Sequence, residues 1–291
     1  MRETISIKLF KTLQKGKDRL NKEALAELRS FVESQRADND TFVDRSGESD
    51  LYYTLFGWIL SYILDIKLDH NKMSTYLEQQ DADSMDLIHY AAFMRCKTIV
   101  SLYKKGMFGT FINSLKSKSI KSLQEFNQIP HNDQQSPYTQ FIWLSVVEDT
   151  GNKLNNKAEI INALAEYSLP SGGYVNTKGS ASASTNASSA ALSIIGELKG
   201  YKENKDVTFL KDTQEEYGGF KAAGEAPVAD LLSTATSLFT LRCYGVSPKY
   251  SSNDFIESHW LDKGGFSATI LDEESDVEYT FYGLLALGAM N

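Results

Sequence analysis

Four aspartates in this chain, Asp50, Asp86, Asp230 and Asp276, stand at the head of runs that are apolar nearly all round, as in Thr54-Leu-Phe-Gly-Trp-Ile-Leu60 and Thr280-Phe-Tyr-Gly-Leu-Leu-Ala-Leu287. At a helix start a carboxylate accepts bonds from orphan N–H groups and complements the helix dipole. Gathered at one opening, the same groups would make an acidic rim for a divalent cation or a basic ligand group. His89 follows Asp86 by three residues, so the two share a helix face. Such a pair suits either a satisfied hydrogen bond or part of a metal site. Asp230, Asp276 and His89 are therefore the candidate catalytic groups.

Aromatic residues crowd the same runs. Most, including Tyr52, Phe56, Tyr90, Phe93, Phe141, Trp143, Phe281 and Tyr282, are expected to pack between helix layers. Tyr53, Trp58, Tyr138 and Tyr279 are the candidate ligand-binding residues. Aromatic faces around a central concavity suit an apolar chain or a carbocation.

The elements that must position these groups show in a repeat. Gly172-Gly173-Tyr174, Gly218-Gly219-Phe220 and Gly264-Gly265-Phe266 recur at a period of 46 residues. Eleven residues beyond each pair begins a second element: Ser184-Thr-Asn-Ala-Ser188, Asp230-Leu-Leu-Ser-Thr234 and Asp276-Val-Glu-Tyr-Thr280. It can be followed back as Gln135-Ser-Pro-Tyr-Thr139, Asp86-Leu-Ile-His-Tyr90 and Asp50-Leu-Tyr-Tyr-Thr54. A fixed period of this size marks a repeated supersecondary unit. Helices without a polar face belong inside. The charged, amphipathic segments Asn21 to Arg36, Asn156 to Tyr167 and Ser252 to Leu261 are expected as outer helices. Six units account for the 291 residues as one all-α domain over 1–291, an (α/α)6 barrel or toroid of helix hairpins. Gly179 to Ala191, rich in Ser and Ala, is either a loop or a place where helices approach closely.

Glycine pair, aromatic, spacer, then Asp-x-x-x-Thr at the start of an apolar helix resembles the repeat of protein prenyltransferase β-subunits and of squalene-type terpenoid cyclases. The resemblance runs from Asp50 to the C-terminus and is strongest from Gly172 onward. It implies an α/α toroid whose central cavity takes an isoprenoid, and a helical partner subunit. In zinc-dependent members it also implies a metal held by Asp-x-Cys and Asp-x-x-His motifs. Here the first aligns with Asp230-Leu231-Leu232 and the second with Asp276 to Tyr279, so leucine and tyrosine replace cysteine and histidine. Zinc chemistry, which needs thiolate and imidazole donors, is not expected. The Asp-x-Asp-Asp acid of the cyclases is absent, with Asp81-Ala-Asp83 the nearest string.

Other chemistries fall away. No thioester motif is present, and neither Cys96 nor Cys243 sits in a zinc-binding context. A glycosidase would need paired carboxylates on long cleft-building loops, for which the chain has few residues to spare. Lys178, Lys221 and Arg242 are too scattered to form a diphosphate site. His70, His131 and His259 have no assigned role. With a net charge of −8, nothing attracts nucleic acid. The basic, amphipathic N-terminus lacks the apolar core of a secretory signal, Leu51 to Ile66 is short for a membrane span, and a cytoplasmic protein is expected.

Three functions remain. The first is a toroid binding an apolar, isoprenoid-like molecule or a peptide in an aromatic cavity, with no cofactor. The second is a divergent prenyl transferase or terpene cyclase using Mg²⁺ at the acidic rim to handle a prenyl diphosphate. The third is a non-catalytic scaffold for a partner protein.

Overall fold

The computed structural model describes residues 3–104, 120–126, 135–154 and 156–290. His131 lies outside them. Among the described residues, six helices form the inner layer: α3 (Leu51–Ile63), α5 (Leu87–Lys104), α6 (Pro137–Asp149), α8 (Thr185–Lys199), α10 (Leu231–Tyr244) and α12 (Val277–Ala289). Each packs on the next, and α12 packs on α3 to close the ring. Outside it stand α2 (Lys22–Ser34), α4 (His70–Glu78), α7 (Lys157–Ala165), α9 (Lys205–Asp212) and α11 (Asn253–Glu257). The chain is an all-α toroid, as its repeat predicts.

The repeat motif builds the turn into each inner helix. The aspartate is the N-cap: Asp50, Asp230 and Asp276 accept bonds from the N–H groups of Tyr53, Ser233 and Tyr279 at 2.9, 2.7 and 2.8 Å. The hydroxyl four residues later accepts the backbone N–H of the aromatic. Phe42 donates to Thr54, Tyr174 to Ser188 and Phe220 to Thr234, each at 2.9 Å, and Phe266 donates to Thr280 at 3.2 Å. Aromatic and cap pair across short antiparallel hairpins, β1 (Phe42–Val43) with β2 (Ser49–Asp50), β3 (Phe220–Lys221) with β4 (Ala229–Asp230), and β5 (Phe266–Ser267) with β6 (Ser275–Asp276). The Phe42 and Phe266 rings fill the space where Gly57 and Gly283 have no side chain.

Two details differ from the sequence pattern. The first unit has no glycine pair, yet Asp40 takes its place with a φ of 63° just before Thr41-Phe42. Aspartate is one of the few residues that tolerate this left-handed backbone. In the third unit the N-cap is Ser136, which accepts from Thr139, and not Gln135. The run from Gly179 divides, its first residues forming the connection and the rest helix α8.

Neighbouring turns are tied together at one end of the ring. Thr185 N–H donates to the Ala222 carbonyl at 2.8 Å, Leu231 N–H to the Ala268 carbonyl at 2.9 Å, and Arg45 of the first hairpin reaches Asp276 at 2.7 Å and Asp272 at 2.9 Å. The other end is covered by α1 (Ile5–Arg19), which belongs to neither layer. Its residues engage the C-terminal ends of four inner helices. Lys17 pairs with Asp65 at 2.6 Å, Ile5 N–H and Ser6 donate to Glu148 and Asp149, Lys8 pairs with Glu197, and Arg19 donates to the Met290 carbonyl at 2.8 Å. Converging helix C-termini carry partial negative charge, which a basic helix offsets. Gly16 and Gly288 let α1 and α12 touch backbone to backbone, since a Cβ on Gly288 would lie 1.8 Å from the Thr12 carbonyl oxygen. Cys96 and Cys243 are free thiols. Among the described residues, no helix is long and apolar enough to cross a membrane.

Candidate functional site

The ring is hollow. A cavity of about 440 Å³ runs between the inner helices, and Leu9 of α1 forms part of its floor. Most of its lining follows one pattern: residues two, five, six and nine after the N-cap face inward, a spacing that repeats one face of a helix, although α3 lacks its ninth and α10 has its tenth, Thr240, in place of its fifth. On α3 these are Tyr52, Leu55 and Phe56, and on α12 they are Glu278, Phe281, Tyr282 and Leu285. Phe141 and Ile142 of α6 continue this aromatic and aliphatic wall. Facing it, α8 and α10 contribute Asn186, Ser189, Ser193, Thr236 and Thr240.

The candidate ligand residues divide on this rule. Tyr138 is the second residue after Ser136; it lines the cavity and keeps 36% exposure at the mouth. Tyr53, His89 and Tyr279 are third residues, turned about 100° from the lumen by the helical pitch, and they do not line it. Burial pushes the phenols of Tyr53 and Tyr279 up to about 12, so both are neutral at physiological pH. Trp58 does not line the cavity either. It is fully buried away from the cavity, and its indole N–H donates to the Asp40 carbonyl at 2.7 Å, bracing the left-handed turn.

The candidate catalytic groups are held apart. Asp230 accepts from the Ser233 N–H and from the Ser233 hydroxyl at 2.8 Å; burial raises its pKa, and the Ser233 bonds oppose the rise. Asp276 is tied to Arg45, whose guanidinium also lies 5.5 Å from the centre of the Tyr279 ring. His89 stands between Asp86, 2.9 Å from Nδ1, and Asp50, 3.5 Å from Nε2. Burial disfavours its charge, but the Asp86 bond and both carboxylates prevail and raise its pKa. Among the described residues, no hydrogen bond or ion pair joins any two of Asp230, Asp276 and His89.

The zinc donor set of the prenyltransferases does not fit. Leu232 lies on the cavity wall, Tyr279 lies under Arg45, and among the described residues no three His, Cys, Asp or Glu side chains converge to hold a metal. The three scattered cations are engaged elsewhere: Lys178 with Glu166, Lys221 with Glu215 at 3.2 Å, and Arg242 with the last carbonyls of α12. His70 opens α4, and His259 is buried with its ring 4.4 Å from Phe255.

Two charged cavity residues had no marker in the sequence beyond being polar inside apolar runs. Glu278, at the mouth, accepts from the Tyr52 hydroxyl at 2.7 Å, and burial raises its carboxyl above the usual range. Arg95, the ninth residue after Asp86, sits at the floor, where its Nε donates to Asp149 at 3.0 Å and its Nη2 to the Ser6 hydroxyl at 3.4 Å. The mouth therefore gathers Asp50, Asp86, Asp276 and Glu278 against Arg45 and His89, an excess of acid.

Residues 118–291 match the family model of the prenyltransferase alpha-alpha toroid domain. The fold is similar to that of Candida albicans protein geranylgeranyltransferase-I complexed with GGPP, with a TM-score of 0.50 at 13% identity, over 99% of this chain and 91% of the other. At that identity the likeness speaks for the fold alone. No curated protein matches the chain.

Proposed function

Since this chain belongs to the prenyltransferase alpha-alpha toroid family, we propose that it binds a neutral, apolar, isoprenoid-like chain in its central cavity and does not carry out zinc-dependent thiol prenylation. The observation that carries this reading is the hollow, aromatic-walled lumen of about 440 Å³, open at the acidic end and floored by Leu9. Concave sites with mostly apolar walls and a few polar groups are where small molecules bind. The excess of carboxylates at the mouth favours a neutral headgroup, because a diphosphate entering there would meet like charge. Burying an isoprenoid tail against Phe56, Phe141, Phe281 and Tyr282 supplies the affinity at about 25 cal/mol per Å² of apolar surface.

The test is thermal unfolding and calorimetric titration with farnesol, and with farnesyl diphosphate plus Mg²⁺. At 100 times its dissociation constant a ligand stabilises the native state by about 2.7 kcal/mol. Farnesol is expected to reach that shift, with no diphosphate released from the second compound. Diphosphate release that needs Mg²⁺ would replace this reading with a transferase or cyclase.

A second reading, a docking role for the rim, is favoured by one observation. Ile270 and Leu271, beside Asp272 on the last hairpin, are 58% and 76% exposed. A partner protein seated there would be lost on changing both residues to serine, measured by co-purification.

A further inference from the structure

The second residue after each N-cap lies nearest the open end, and there the cavity holds one acid among phenols. Tyr52 of α3 and Glu278 of α12 are neighbours across the seam that closes the ring, and the Tyr52 hydroxyl donates to Glu278 Oε1 at 2.7 Å. Tyr282 follows Glu278 by four residues and so stands on the same face of α12, one turn deeper. Tyr138 reaches in from α6, across the ring. Burial, and after it the Glu278 carboxylate, push the phenols of Tyr138 and Tyr282 up, so both sit in the field of the acid and both keep their protons.

All four side chains border the cavity. Tyr138 is 36% exposed, and Glu278 and Tyr282 are partly exposed although their helix belongs to the inner layer, so the surface they keep is that of the cavity and its mouth. Among the described residues, the buried hydroxyls without a partner are those of Ser61, Ser189, Ser237 and Thr240. The Tyr282 hydroxyl also lacks a partner but is not buried, and the Tyr138 hydroxyl and the second Glu278 oxygen are likewise unbonded. A group that answers all three must donate to a carboxyl and accept from phenols at one atom. A hydroxyl does both. A ketone or an ether only accepts. An ammonium only donates, and the burial that raises the Glu278 carboxyl weakens the pull it would exert on a cation.

We propose that the mouth reads a hydroxyl: the ligand is an apolar chain ending in an alcohol, whose O–H donates to Glu278 and whose oxygen accepts from Tyr138 and Tyr282. This rests on the cavity-binding reading above and adds which end of the ligand stays at the mouth and what holds it. No covalent step is involved.

The probes are farnesol, its methyl ether, farnesylamine and the hydrocarbon farnesene, titrated calorimetrically into the full-length wild type, the Y138F/Y282F double variant and Glu278→Ala. The methyl ether keeps the accepting oxygen and lacks the donated proton, so the two variants predict different patterns. Losing both phenol hydroxyls should weaken farnesol and the ether about tenfold each and leave farnesene unchanged. Losing Glu278 should abolish the advantage of farnesol over the ether and again spare farnesene. The tyrosine variant removes two oxygens without partners and is expected to melt at the wild-type temperature; it decides alone should Glu278→Ala not fold. Farnesene binding with an unchanged ratio in either variant would overturn this proposal and leave the cavity-binding reading standing. Farnesylamine as the tightest of the four would replace the alcohol with a cation. A tyrosine variant that melts well below wild type would show that the hydroxyls serve the fold, and would also overturn it. Binding of none of the four would overturn both readings.

Discussion

Replacing Thr234 with valine isolates one bond of the repeat. Thr234 is fully buried, and its hydroxyl accepts the Phe220 N–H at 2.9 Å while donating to the Asp230 carbonyl at 2.8 Å. Valine keeps the shape and removes the oxygen. The Phe220 N–H, in an equally buried place, then has no acceptor, at a cost of about 1–3 kcal/mol. The Asp230 carbonyl loses less, because it retains its helical partner. Serine keeps the oxygen and gives up one methyl group, about 0.8 kcal/mol of buried surface. Ser188 makes the same bond to Tyr174, so serine fits the geometry. The expected order of stability is threonine, then serine, then valine, with valine about 2 kcal/mol below wild type. That corresponds to a fall of about 3 °C in melting temperature at this chain length. Urea or thermal unfolding of the three proteins measures it. A valine variant as stable as the serine variant would refute the assignment of this hydroxyl to the turn.

Changing Arg45 to methionine should cost about 1–2 kcal/mol, discounted for the partial exposure of the guanidinium. A double-mutant cycle with Asp272→Asn should find the two losses non-additive. His89 has a folded pKa raised above its ordinary 6.5. Its contribution to stability is thus fully present below about 6.5 and disappears as pH rises through the higher folded value. The stability of wild type minus that of His89→Gln should shrink over that interval, and an NMR titration of the ring should give a pKa above 6.5. Gly288→Ala drives a methyl group into the Thr12 carbonyl and should destabilise by about 1–3 kcal/mol, seen as a lower denaturant midpoint.

The toroid was legible because its turns repeat in chemistry as well as in length. Asp230, Thr234 and the Gly218-Gly219-Phe220 run each do a job that few other residues do, so they recur. The first unit hid its turn because Asp40 does the work of glycine with a different side chain. The lumen was harder to read. A cap misplaced by one residue, Gln135 for Ser136, moves each assignment by a third of a helical turn, and the third-residue positions Tyr53, His89 and Tyr279 sit that far from the cavity. Trp58 looked like a cavity aromatic because its helix has no polar face to orient it, and only the bond to Asp40 shows which way it points. Ser189 lies in a run whose composition suits a loop or a close helix contact equally well. Helix α1 has no motif of the repeat, and its place follows from charge and from Gly16 meeting α12.

Closing a ring with its first helix laid across the far end has a consequence for biosynthesis. Arg19 and Met290, which meet at the base, are 271 residues apart. At about 5–20 residues per second, the ribosome needs roughly 14–54 s to make the second after the first. Through that interval α1 exposes Leu13 and the face around Gly16, and α3 lacks the neighbour that completes the circle. The growing chain is an open arc with two unsatisfied edges, and α12 packs on both, against α1 and against α3. Fast two-state folding from local contacts is not available to such a topology. Its yield in a cell depends on what shields the arc until α12 emerges.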